Sequence, residues 1–210
     1  MPRPRFEKLP PERRRAIMEA AAKELATHGY EGASLNRILA QADLSKGAAY
    51  YYFDGKEDLL ATMFAFLWEE LAKEIPTDLS RITSKTFWPF LEGIGNSFMR
   101  SAVEEPWLMS AAKAIWGLPH AARTEGPLGE VFSAMEGWME SLMQRGFELG
   151  VVRTDLPLGL LLAMVLGMDE AGDRWVLEHY DELGQEEVER IWKIVFGMWQ
   201  HIISPPSRDV

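Results

Sequence analysis

Glycine and proline cut this chain into segments of helix length, and inside each segment apolar residues recur at three- and four-residue intervals. No segment shows a sustained period-2 alternation rich in Val, Ile and Thr, so no strand is expected. The first helix runs from Glu12 to His28, with Pro10 and Pro11 before it and Gly29 as its stop. Ser34 is placed to cap a brief helix to Ala42 and Ser45 another to about Phe53, with only Asp43 and Leu44 between them. Longer helices follow from Lys56 to about Ile75, Ser84 to Val103, Pro106 to Leu118, Leu128 to Gly150, Pro157 to Tyr180 and Gln185 to Ile203. The expected fold is all-α, with about nine helices.

Composition narrows the function. The 210 residues contain no cysteine, which removes disulfide frameworks, thiol nucleophiles and Cys-based zinc sites together. Met1 to Lys8 is basic without an apolar stretch behind it, so it does not read as a signal peptide. The longest apolar stretch, Leu156 to Met168, falls short of the ~20 residues needed to cross a bilayer. No membrane partner is expected, and a cytoplasmic location is. The net charge is −10, but residues 1–53 carry nine Lys and Arg against six Asp and Glu, whereas the remainder carries 13 against 26. A basic N-terminal module therefore precedes an acidic body.

The two short helices and their two-residue turn, preceded by a longer helix, form a helix-turn-helix unit. Its second short helix has the residues of a DNA-reading element. Ser45 and Lys46 stand at its N-terminus, where backbone N–H groups favour a phosphate; Gly47 and Ala48 allow close backbone approach; and Tyr50, Tyr51 and Tyr52 offer hydroxyls to phosphates and rings to thymine methyls.

The run Ser34-Leu-Asn-Arg-Ile-Leu-Ala-Gln-Ala-Asp-Leu-Ser-Lys-Gly-Ala-Ala-Tyr-Tyr-Tyr-Phe-Asp-Gly-Lys-Glu-Asp-Leu-Leu60 resembles the N-terminal signature of the TetR family of transcriptional regulators. In that likeness Ser34 takes the capping position, Ile38 a core position, Ala42 the small pre-turn residue, and Ser45, Gly47, Tyr50 and Phe53 the recognition-helix pattern. Lys56, Glu57, Leu59 and Leu60 match the start of the connecting helix. Two residues depart from it: Asp43 stands where Gly is usual, and Leu39 where a small residue is usual. Asp tolerates a left-handed backbone; Leu39 is expected to alter slightly how the recognition helix is presented. The resemblance implies a helix-turn-helix DNA-binding domain over residues 1–55, contacting DNA through Ser34, Asn36, Arg37, Ser45, Lys46, Gly47, Ala48, Tyr50, Tyr51, Tyr52 and Lys56. It also implies a ligand-binding and dimerisation domain over residues 56–210.

The expected partners are double-stranded DNA with a palindromic operator, a small-molecule effector and a second copy of the chain. Two-fold symmetry doubles the contacts and reads half-sites about 34 Å apart or slightly more. The last two helices are the expected dimer face, through Leu158, Leu161, Leu162, Val165, Gly172 and Val176 with Val188, Ile191, Trp192, Val195, Trp199 and Ile202. All eight Trp lie after residue 60. A pool of Trp88, Phe98, Trp107, Met109, Trp116, Met135, Trp138, Met139, Met143, Met164, Met168 and Trp175 is expected to line an apolar cavity or to fill ordinary core. Asp169 and Asp173 share a helix face. Turned inward they need a cationic ligand group, Arg174 or a partner-subunit base; turned outward they are solvated. His120 reads as a loop residue.

The function expected is a ligand-responsive DNA-binding regulator, a repressor released by an apolar or aromatic effector, with no cofactor, no metal and no catalysis. One alternative is a protein of the same fold that acts through a protein partner. Another is an all-helical metal-dependent enzyme, since Asp169, Glu170 and Asp173 superficially resemble an Asp-rich Mg²⁺ site, but no second metal motif accompanies them.

Overall fold

A computed structural model describes residues 4–45, 49–72, 78–105, 107–118 and 123–206, and all of their regular structure is helical. The elements are α1 (Pro4–Glu7), α2 (Pro11–Gly32), α3 (Leu35–Gln41), α4 (Ala49–Tyr52), α5 (Lys56–Ala72), α6 (Phe87–Glu104), α7 (Trp107–Trp116), α8 (Gly126–Glu148), α9 (Leu158–Leu183) and α10 (Gln185–Ile203). A 3₁₀ turn, Leu79–Arg81, precedes α6. Each expected helix has a counterpart, and α1 is an addition. Gly29 breaks the regular backbone of α2 with φ 67° and ψ 177°, after which one further turn runs to Gly32. A left-handed residue there costs glycine nothing sterically.

The chain divides into two compact units. The first comprises Met1–Lys73 with Ser101–Ala134, the second Glu74–Arg100 with Met135–Val210. Compactness thus groups the N-terminal helices with α5 and α7.

In the first unit α2 is the central element, packing on α3, α5 and α7. Its inner face carries Ile17, Met18, Ala21 and Leu25, which join Ile38, Phe53, Leu59, Leu60 and Met63 in one core. The buried alanines of α2, with Ala111 and Ala114 on α7, are small enough to let two helix axes approach closely. Asp58, in the first turn of α5, accepts from the Asp54 N–H at 3.1 Å. That carboxylate covers a backbone donor and complements the helix dipole.

In the second unit Phe87, Leu142, Met143, Val152, Leu161, Val165 and Ile203 form a separate core. Fully burying Phe87 contributes about 2–3 kcal/mol. Arg145 ties α8 to the segment before α6 by donating to the carbonyls of Ser80 (3.2 Å) and Ile82 (2.9 Å). Arg153 closes the C-terminal end of α10: its N–H donates to the Ile203 carbonyl at 2.8 Å and its guanidinium to that of Ile202 at 3.2 Å. Carbonyls at a helix end have no partner within the helix, so both bonds satisfy otherwise orphaned acceptors. α9 turns back into α10 at Gly184, whose φ of 71° needs a residue without Cβ.

Candidate functional site

The angle between α2 and α3 is set by one buried carboxylate. Glu24, on α2, is only 1% exposed. It accepts from the Ser34 backbone N–H (2.9 Å), from Arg37 Nε (2.7 Å) and, more weakly, from Gln41 Nε2 (3.4 Å). The Arg37 guanidinium also donates to the Gly32 carbonyl at 2.6 Å. Desolvation alone would raise the Glu24 pKa. The Arg37 hydrogen bond, the Ser34 N–H and the positive charges of Arg37 and His28 outweigh it, and the carboxyl sits below its usual range. Ser34 has the extended backbone of a cap residue, but its hydroxyl makes no capping bond. The expected side-chain cap is therefore absent, and Ser34 is instead pinned through its backbone N–H to Glu24.

The turn after α3 is a Schellman closure. Leu44 N–H donates to the Leu39 carbonyl at 2.8 Å and Asp43 N–H to that of Ala40 at 3.3 Å. Asp43 takes the left-handed position with φ 55°, as its tolerance for that region predicts. Leu39, the unusual large residue, is fully buried.

Of the expected DNA contacts on the recognition helix, Lys46, Gly47 and Ala48 lie outside the described residues, as does the side chain of Tyr50. Ser45 is exposed, and so is Tyr51 at 47%. Tyr52 is half-buried, and Phe53 is fully buried in the core. The element that holds α4 from behind was not anticipated. Phe6 of α1 is buried, with its ring centroid 5.0 Å from Phe53 and 6.5 Å from Tyr52.

On α3 the Asn36 side chain is exposed and faces solvent. Arg37 is committed to Glu24 and Gly32. Lys56 is likewise engaged, donating to the Tyr30 carbonyl at 2.7 Å and lying 4.7 Å from the centre of the Tyr30 ring. Both cations therefore do structural duty.

Residues 17–63 match the family model described as bacterial regulatory proteins, tetR family. Residues 17–63 thus form a TetR-family helix-turn-helix domain. TetR-family proteins are DNA-binding transcriptional regulators, not enzymes. Over a longer alignment, this chain is 26% identical to the HTH-type transcriptional repressor AcnR of Corynebacterium diphtheriae, over 84% of this chain and 91% of the relative. It is 22% identical to the fatty acid metabolism regulator protein of Bacillus subtilis, over 79% and 85% of the two. Among solved structures, FadR of Bacillus subtilis in complex with stearoyl-CoA superposes with a TM-score of 0.69 at 19% identity, covering 88% of this chain and 96% of that one. That likeness extends the family fold along nearly the whole chain.

The expected ligand residues of this chain are divided between the two units. Trp107 and Met109 belong to the first unit, where Trp107 packs on its core; Phe98, Met135, Trp138, Met139, Met143, Met168, Asp169 and Trp175 belong to the second. Met143 is core, Trp138 and Met139 pack against that core, and Trp175 is exposed and stacked on His179 at 4.3 Å. The Trp116 side chain and His120 lie outside the described residues. An open groove of about 600 Å³ is lined by Thr124, Gly126, Gly129, Glu130, Ser133 and Ala134, none of them in the expected pool. Asp169 is half-buried, while Asp173 is exposed. Desolvation first, and the negative charge of Asp173 second, hold the Asp169 carboxyl well above its usual range. Among the described residues no group of three or more His, Asp or Glu is placed to hold a metal ion, and no helix is long and apolar enough to cross a membrane.

Several of the apolar residues expected to meet a second copy pack on the core of the second unit, and the rest of the set is at least partly buried. Val165 and Val188 are buried, Leu161 is fully enclosed, and Leu158, Leu162, Trp199 and Ile202 pack against the second core. Trp192 stacks on Phe196 at 5.4 Å and lies so close to Gly95 that a Cβ there would overlap its ring. The apolar residues left in solvent are others: Leu160, Met164 and Trp175 on α9, with Ile194 and Met198 on α10, each 44–51% exposed.

Proposed function

We propose that this chain is a homodimeric repressor that binds a palindromic operator and is released by a small apolar effector of acyl type. The observation that carries the DNA-binding half is the bracing of the reading module. Glu24 ties α3 to α2, the Schellman turn closes the end of α3, and Phe6 backs α4. A module braced in this way loses little entropy on docking into a groove.

The dimer half rests on the solvent-facing apolar stripe. On α9, Leu160, Met164, Gly167, Ala171 and Trp175 recur at three- and four-residue steps; on α10, Ile194 and Met198 continue the pattern. Large side chains exposed in a row on two adjacent helices suit a four-helix interface with the same two helices of a second copy. Trp175, placed in the ligand pool by sequence, belongs on this reading to the interface.

The effector half draws support from the fatty acid metabolism regulator and the stearoyl-CoA-bound FadR. An effector that prefers the low-affinity conformation 100-fold supplies about 2.7 kcal/mol per site against operator binding. The test is to select duplexes from a random pool at about 150 mM salt and titrate stearate and stearoyl-CoA against the complex. At least a tenfold loss of operator affinity is expected. Acyl ligands that bind without moving that affinity would refute the effector class.

A further inference from the structure

We infer that Arg5 is an operator-contacting residue, presented to a DNA phosphate by stacking on Tyr51 of the recognition helix; this rests on the DNA-binding reading above. The guanidinium carbon of Arg5 lies 4.4 Å from the centre of the Tyr51 ring. Tyr51 is an exposed aromatic of α4, and Arg5 is itself exposed. No carboxylate among the described residues pairs with this cation. That sets it apart from Arg37 and Lys56, whose donors are used inside the module.

The placement of Arg5 follows from its neighbour. Phe6 is buried against Phe53 and Tyr52, and the Leu9 N–H donates to the Phe6 carbonyl at 3.0 Å, so the short α1 turn is anchored on α4. α1 packs on α4. With position 6 locked inward, position 5 is delivered to the exposed side of the same helix. Stacking satisfies the face of the guanidinium and leaves its edge N–H groups free to donate. Such a fork matches a phosphate. The segment lies ahead of residues 17–63, the stretch matched by the family model, so this contact is an addition to the shared module. The charge of the segment has the right sign, since Arg3, Arg5 and Lys8 outnumber Glu7 among the first eight residues of the sequence.

The test uses the full chain and the duplex recovered by selection, with affinity measured at several salt concentrations. Arg5→Ala is expected to weaken binding five- to tenfold and to lower the slope of log affinity against log salt by about one. Arg5→Lys should keep the slope. Arg190→Ala, at an exposed ion pair on α10, should change neither. The Arg5→Ala and Tyr51→Ala losses should be less than additive in the double variant, because each removes the same contact. An unchanged slope with Arg5→Ala would overturn the phosphate contact, even with weakened affinity. Strict additivity would overturn the role of Tyr51 in presenting it. Failure of the unmodified protein to select any duplex would instead refute the DNA-binding reading itself.

Discussion

Desolvation pushes the carboxyls of Glu24 and Asp169 the same way, upward, yet Glu24 ends below its usual range and Asp169 above it, because their neighbours decide the sign. Glu24 is surrounded by donors, so its ionised form is favoured in the folded state. A depressed folded-state pKa contributes stability above the unfolded pKa of a glutamate and loses it as pH falls through the folded value. Glu24→Ala is expected to cost about 1–3 kcal/mol near neutral pH, because it leaves the Ser34 N–H without its acceptor and removes the anchor of the half-exposed Arg37. Thermal melts at pH 7 and pH 3 should show that cost shrinking on acidification. Asp169 has only Asp173 as a charged neighbour in its shift, and repulsion adds to desolvation. A raised folded-state pKa means that stability is greatest below the unfolded value and is lost as pH rises through the folded one. Asp169→Asn should therefore raise the melting temperature at pH 7, with the gain fading toward pH 4. A gain independent of pH would contradict that electrostatic origin.

At the scale of elements, the distinction between buried and exposed faces of α9 carries the strongest prediction. Met164→Glu combined with Ile194→Glu should leave folding intact, since both side chains already stand in water. It should convert the protein to a monomer in sedimentation and reduce operator affinity more than 100-fold. A dimer that survives both charges would place the interface elsewhere. Gly95→Ala is expected to destabilise by about 1–3 kcal/mol through overlap with Trp192, measured by denaturant unfolding. The helices themselves were legible because Gly and Pro fall between segments of strong helical period. The inward face of α9 was not, because residues 160–166 are apolar on nearly every side and periodicity cannot orient such a run. α1 escaped notice for a different reason, as four residues ahead of Pro10 hold too little pattern to read. Glu24 drew no notice in the sequence because its partners, Ser34 and Arg37, lie ten and thirteen residues away, beyond the end of its own helix.

At the scale of the whole molecule, the proposed function gives the charge asymmetry of the sequence a use: residues 1–53 are net basic, the sign that suits DNA, and the remainder is acidic. The motif in residues 34–60 was enough to identify the family, because recognition depends on local turn geometry that few residues can supply. The effector and the dimer face depend on tertiary packing, which that motif does not encode. The most direct measurement is selection of the folded protein against a random duplex pool at about 150 mM salt, where charge-only binding is suppressed, followed by the mass of the complex on the winning duplex. Two half-sites related by a dyad, bound by two chains, are predicted. A single half-site bound by one chain, or no enriched sequence at all, would contradict a dimeric operator-binding regulator.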